Sequence, residues 1–299
     1  LLHQTPKLDD GSEDSFPYSQ NSVIWDGALT MTSKFSVLCS LYHKEQPSYL
    51  EQCFESLEWQ TLEANEIVVV HDGPLTPALY QVLEKWEKRL PLKQVKLEKN
   101  VGLGEALNKG LEACSYDLVA RVDTDDINHI DRFEKQVAYM DSNIDVFAAS
   151  CDINEFETDP NEPSRVKKVP HSDSVLEYSL KRNPLNHMST IFRKQAIVAV
   201  GNYQHHLYME DYYLWLRLQA NGYKISNISE VLVSARVGNG MLERRRGWSY
   251  ALSELRMMRK MYNLKLAKGP KTALYFSARA FSRLIPATIL SKTYERLLR

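Results

Sequence analysis

Apolar and polar positions alternate along the chain between short, almost continuous apolar runs and stretches with helical spacing. Phe35 to Tyr42 (FSVLCSLY) is apolar nearly throughout, the pattern of a strand covered on both faces. Pro47 then opens Ser48 to Gln60, where Tyr49, Leu50, Cys53, Phe54 and Leu57 share one helical face. Glu66 to Val70 (EIVVV) predicts a second strand, closed by His71-Asp72-Gly73-Pro74. A helix from Thr76 to Arg89 with Thr76 as its cap follows, then a short strand at Val95 to Leu97. A glycine-punctuated helix spans Val101 to Ala113, and Tyr116 to Asp123 is again strand-like. Ile130 to Met140 and Val146 to Ser150 continue as helix and strand. This βαβ alternation predicts a parallel, helix-covered sheet with right-handed crossovers. The second half changes character. Asp159 to Pro170 reads as a charged loop, Asp173 to Arg182 as a short helix, Ser189 to Arg193 as a strand and Tyr208 to Asn221 as an amphipathic helix ended by Gly222. Ile225 to Arg236 is strand-like, and Leu242 to Tyr262 a basic helix.

Composition is that of an ordinary globular protein: 299 residues, 43% hydrophobic and 25% charged, enough for one large domain or two small ones. The net charge of −1 conceals an asymmetry, because residues 241–299 hold 14 Lys/Arg against 3 Asp/Glu and leave −12 for the rest. A basic end of that kind implies an anionic partner. Cys39, Cys53, Cys114 and Cys151 show no metal spacing and read as buried free thiols of a reducing compartment. No apolar run reaches the ~18–20 residues that span a bilayer, so a soluble or peripheral protein is expected. Residues 1–33 are polar and aperiodic. They are expected to be a disordered leader or foreign to the natural chain, with the natural start at Met31.

The candidate chemistry begins at YDLVARVDTDD, where an apolar strand delivers Asp123, Asp125 and Asp126. Carboxylates at the carboxyl end of a strand lie where an α/β sheet opens into a ligand crevice, and hard oxygen ligands suit Mg²⁺ or Mn²⁺. A polar turn is the plain alternative for any one such motif. Asp72 ends another strand and can accept from a base or ribose, or serve its turn. Asn100, Gly102 and Asn108 lie around a helix start where free N–H groups favour anions. His187 precedes a strand. Glu210-Asp211 opens an aromatic-rich helix, as a capping pair or as a general base. Arg244, Arg245 and Arg246 form a run suited to a diphosphate, although at most two could face one site.

In their order and spacing, FSVLCSLYHKEQPSYLEQCFESLEWQT, VVVHDGP, NVGLGEALNKG, ARVDTDD, NPLNHMSTIFRK and MEDYYLWLRLQANGY resemble family 2 glycosyltransferases of the GT-A fold. The likeness is closest to bacterial enzymes that build O-antigen, capsule and exopolysaccharide repeat units, and it covers about residues 34–250. It implies a Rossmann-like mixed α/β sheet with helices on both faces and a basic helical extension over 241–299. The catalytic domain would cover 34–240, with a nucleotide-binding half over about 34–126 and an acceptor-binding half over about 127–240. Leu41, Tyr42, Glu45, Asp72, Asn100, Gly102, Asn108, Arg121, Asp123 and Thr124 would bind the nucleotide-sugar, and Asp123 and Asp125 the Mn²⁺ or Mg²⁺. Asp211, with Glu210, matches the family's catalytic base. His187 and Arg244 to Arg246 would meet the acceptor or a diphosphate. Two departures stand out: His71 precedes Asp72 where many members carry a second Asp, and the Gln-x-x-Arg-Trp motif of processive enzymes is missing.

The implied reaction is inverting, non-processive transfer of one hexose, glucose or galactose favoured, from a UDP-sugar to an undecaprenyl-diphosphate-linked sugar. It would proceed on the cytoplasmic face of the inner membrane, with the basic tail on the anionic surface and no nucleic acid involved. A nucleotidyltransferase or an inactive glycosyltransferase-like scaffold are the alternatives.

Overall fold

The computed structural model describes residues 32–171, 174–238 and 246–285. The expected leader lies almost wholly outside them, as do Arg244, Arg245 and residues 286–299. The chain runs β1 (Phe35–Leu41), α1 (Pro47–Glu58), β2 (Glu66–His71), α2 (Pro77–Trp86), β3 (Leu92–Lys96), α3 (Leu103–Ala113), β4 (Leu118–Arg121), β5 (Ile127–Asn128) and α4 (Arg132–Ser142). It continues with β6 (Val146–Phe156), β7 (Arg165–Lys167), α5 (Val175–Ser179), a 3₁₀ turn at His187–Ser189, β8 (Ile191–Arg193), α6 (Lys194–Ala199) and α7 (Glu210–Ala220). After β9 (Lys224–Arg236) come α8 (Trp248–Asn263) and α9 (Pro270–Leu284).

The strands form one sheet ordered β3-β2-β1-β4-β8-β6-β9-β5, with β7 on β6. The first four pair in parallel, as the alternation predicted. Beyond β4 the sheet is mixed: β8 is antiparallel to β4 and β6, whereas β6 and β9 run in parallel. The continuous apolar runs have a direct cause. In β1, Phe35, Val37, Cys39 and Leu41 join the core under α1, α2 and α4, and Leu38 joins the core under α3 and α7. Both faces are covered, so there is no polar alternation to see. Gly110 lets α3 press onto that sheet, since a Cβ there would sit 2.3 Å from Leu38 Cδ1.

Several elements differ from the sequence expectation. β4 ends at Arg121, so Asp123 to Asp126 occupy the loop beyond it rather than the strand itself. β5, β7 and α6 are additional, with β7 inside the expected charged loop and β6 extended to Phe156 by its long pairing with β9. α5 covers only five residues. α8 starts at Trp248, six residues later than expected, after Gly247 with a φ of 88°. The basic end is built into the fold: Tyr250, Met257, Met261 and Phe276 of α8 and α9 share a core with Tyr212 and Leu216 of α7 and with Met209 just before it. All four cysteines are free and buried.

Candidate active site

Because β1, β2 and β4 are parallel and in register, with Leu41 opposite His71 and Leu38 opposite Arg121, their carboxyl ends open on one edge. The loops that follow carry Glu45, Asp72 and the acidic segment. Asp123, Asp125 and Asp126 each offer an oxygen, all within 4.8 Å of one another. Asp126 is buried; one oxygen accepts from Arg236 N at 2.8 Å, and its Oδ2 has no partner among the described residues. Burial, then the charges of Asp123 and Glu45, push Asp125 up to about 7. Three carboxylates crowded this closely repel one another, and an orphaned buried oxygen among them fits a hard divalent cation. The segment is held from two sides. Glu45 Oε2 accepts from Thr124 Oγ1 at 2.8 Å, and Arg236 donates to Asp125 O at 3.2 Å and to Gln52 at 2.6 Å while lying over the Tyr49 ring.

Arg121, the last residue of β4, is buried and paired with Asp123. Its Nε and Nη1 have no partner among the described residues. It also lies within electrostatic reach of Asp211 at the start of α7, which links the acidic loop to the other half of the site.

Asp211 and Glu210 diverge. Asp211 receives Asn183 Nδ2 at 2.6 Å and feels Arg121 and Lys167. Glu210 instead lies against α3, where a Cβ on Gly104 would be 3.3 Å from its Cγ, and feels His205 and Lys260. Burial raises the pKa of both. Arg121, the partner of Asp123, is thus among the charges that act on Asp211.

Several other expected site residues make contacts within the fold. Leu41 is wholly buried in the core, and its carbonyl receives Asp72 N at 2.8 Å. Tyr42 is exposed. Asp72 accepts from Asn100 Nδ2 at 2.9 Å, Val101 N at 2.6 Å and Gly102 N at 3.1 Å. The helix start that was expected to offer free N–H groups to a ligand anion is thus already capped by a carboxylate of the protein. Gly73 makes the close approach possible, since a Cβ would stand 2.7 Å from Asn100 N at a φ of +86°. The Asn108 amide exchanges two 2.9 Å hydrogen bonds with the backbone of Tyr203. Tyr203 Oη is 2.9 Å from His187 Nε2, and Trp215 lies against the same ring. Burial and the nearby Arg121 charge drive His187 well below the ordinary range, so it is a neutral imidazole without charge for a phosphate. His71 is neutral for the same first reason. Arg246 is half-buried just ahead of Gly247; Arg244 and Arg245 lie outside the described residues.

Neither Asn183 nor Arg236 carries a sequence pattern that marks it as part of the site. Asn183 belongs to the NPLNHMS segment that drew attention for its histidine, and Arg236 ends an apolar strand where a lone cation looks like a solvent cap.

The family model for glycosyl transferase family 2 matches residues 36–213. The amylovoran biosynthesis glycosyltransferase AmsE of Erwinia amylovora is 46% identical over 263 residues, 88% of this chain and 98% of that protein. The UDP-Gal:alpha-D-GlcNAc-diphosphoundecaprenol beta-1,3-galactosyltransferase of Escherichia coli is 38% identical over 268 residues, 90% of this chain and 98% of that one. Among solved structures, S. aureus TarS 1–349 with UDP-GlcNAc superposes with a TM-score of 0.62 at 21% identity, covering 84% of this chain and 72% of that one. The mannosyltransferase PcManGT from Pyrobaculum calidifontis, solved with GDP-Man and Mn2+, gives 0.61 at 17% identity, covering 92% and 84%.

Proposed function

The chain belongs to glycosyl transferase family 2 and is a glycosyltransferase with a GT-A-type fold, and we propose that it moves one hexose from a UDP-sugar, UDP-galactose or UDP-glucose, to a lipid-diphosphate-linked sugar with inversion. The observation that carries this is the bridge made by Arg121, which pairs with Asp123 of the acidic loop and lies in reach of Asp211. A donor held at the loop and an acceptor held at α7 would meet over that bridge. The E. coli relative's name specifies a UDP-galactose donor and a diphosphoundecaprenol-linked acceptor, which supports both choices.

Asp123 and Asp125, with Asp126 beside them, would hold Mn²⁺ or Mg²⁺. Such an ion, when bound, stabilises the diphosphate charge that develops as UDP leaves. The remaining steps belong to the chain's own residues. Asp211 accepts the proton of the acceptor hydroxyl as its oxygen bonds to the sugar's anomeric carbon and the bond from that carbon to the UDP oxygen breaks. Asn183 holds the carboxylate in orientation. Glu45 and Arg236 keep the acidic loop in place, so that little reorganisation is needed at the moment of transfer. Asp72 and Asn100 shape the wall in which the uridine would lie, and Tyr42 would stand at its mouth. With no processive motif, the chain transfers a single sugar.

Incubating the protein with UDP-sugars and a GlcNAc-diphosphate-lipid analogue tests this reading. The expected result is UDP release with a β-linked disaccharide product, abolished by EDTA and restored by Mn²⁺ or Mg²⁺. Release of pyrophosphate would identify a nucleotidyltransferase, and full activity in chelator would remove the metal from the account.

A further inference from the structure

On the α7 side, a cleft of ≈ 780 Å³ opens next to Asp211, walled by the β7 segment, the end of α5 and the helices α8 and α9. Its wall includes Asp211 but none of the three carboxylates of the acidic loop. Six cationic side chains surround it, namely Arg165, Lys167, Lys168, Arg182, Arg279 and Arg283, and Asp211 is its one carboxylate among the described residues.

These cations are not equivalent. Arg165 is spent on Glu155 at 3.1 Å. Arg279 and Arg283 share one fully buried carboxylate, Glu254, at 2.9 and 3.0 Å, so together they leave one uncompensated positive charge. Arg182 is exposed and has Tyr178 and Tyr275 as its electrostatic neighbours, both of which line the cleft with it, and Lys168 is exposed on the rim. Also lining the cleft, Tyr208 and Tyr250 stack at 5.0 Å, with the Arg283 guanidinium 4.6 Å from the Tyr250 ring centroid. Tyr208 takes a φ of +68°, a conformation that a bulky residue adopts only when its surroundings impose it. An aromatic wall, positive charge in excess, and a catalytic carboxylate at one end describe a site for a phosphorylated sugar.

We propose that this cleft binds the diphosphate of the lipid-linked acceptor, with Arg182 and Lys168 as its phosphate ligands and the Tyr208–Tyr250 stack beside the sugar. The inference rests on the proposed reaction and adds where its acceptor is held. The acceptor hydroxyl and its anomeric diphosphate are separated by the width of one pyranose ring, so a base and a phosphate cradle must lie in one cleft. A guanidinium meets a diphosphate oxygen pair in a planar fork geometry, which suits Arg182 to this role.

The test measures equilibrium binding without donor, using a short-chain GlcNAc-α-diphosphate-alkyl probe and the matching phosphate-free GlcNAc glycoside. Arg182→Gln and Lys168→Gln are surface changes that leave the core intact. Combined, they should weaken binding of the diphosphate probe at least tenfold and leave the phosphate-free glycoside unaffected. Unchanged diphosphate binding, or an equal loss for both probes, overturns the assignment. So does displacement of the probe by phosphatidylglycerol vesicles as effectively as by excess probe, which would give the cleft to bilayer headgroups. Wild-type protein that binds the probe yet releases no UDP would instead sink the proposed reaction and leave the binding site standing.

Discussion

Asp211 and Glu210 are adjacent in the chain, yet the helix turns them toward different neighbours, and the electrostatic surroundings separate their roles. Asp211 lies near Arg121 and accepts from Asn183, whereas Glu210 packs against α3. As a base, Asp211 works only when ionised, and burial raises its pKa. The acid limb of the rate profile should therefore lie above the ordinary carboxylate range. The Asn183 hydrogen bond acts in the opposite sense, lowering that pKa. Asn183→Ala should move the acid limb to higher pH while the plateau at alkaline pH changes less, as read from initial rates across pH. A limb that moves to lower pH would contradict the pairing. At this scale the acidic loop and the helix-initial carboxylates were legible in sequence, because each is a local pattern. Asn183, Arg236 and the true partners of Asp72 and Asn108 were not. Their roles come from contacts 28, 111, 29 and 95 residues away, which no local spacing encodes.

At the level of elements, α3 begins on a borrowed anion: Asp72, from the end of β2, satisfies the N–H groups of Val101 and Gly102. The parallel half of the sheet was readable because both-face burial leaves continuous apolar runs. Of the strands outside that half, β8 falls inside the expected strand Ser189 to Arg193, whereas β5 and β7, of two and three residues, leave almost no pattern. The basic end illustrates the same limit, since its amphipathic spacing shows an apolar face but not what covers it. Phe276 is completely buried, and Arg279 and Arg283 neutralise the buried Glu254. Truncation after Tyr262 would strip that carboxylate of both partners, a change costing about 3–5 kcal/mol when a buried pair is broken. The truncated protein should melt well below the full chain by calorimetry. An unchanged transition would show that α9 is not part of the folded unit.

Across the molecule, positive charge is concentrated in the last 59 residues, at a surplus of 11. Part of it lines the cleft beside Asp211, and part rims α9, whose outward face leaves Leu274 and Phe281 exposed at 75% and 68%. None of the helices among the described residues is long and apolar enough to cross a membrane. Exposed apolar residues flanked by cations fit an interfacial contact, each Lys or Arg adding roughly 1 kcal/mol near an anionic leaflet. The pair Leu274→Glu and Phe281→Glu should reduce sedimentation with anionic liposomes at low salt without lowering the melting temperature. Liposome binding equal to that of the wild type would rule out this face as the contact.

The proposed role of Asp211 is to take the proton as the sugar moves from UDP to the acceptor. Steady-state transfer by Asp211→Asn tests it most directly, because Asn keeps the shape and cannot take the proton. A positioned base contributes about 10²–10⁴-fold, so kcat should fall by that factor with UDP-sugar affinity nearly unchanged. Since an ionised Asp211 with a raised pKa costs the fold stability as pH rises through that pKa, the same variant should melt higher at neutral pH. Near-normal kcat in Asp211→Asn, or a collapse seen only in Glu210→Gln, would take that role from Asp211.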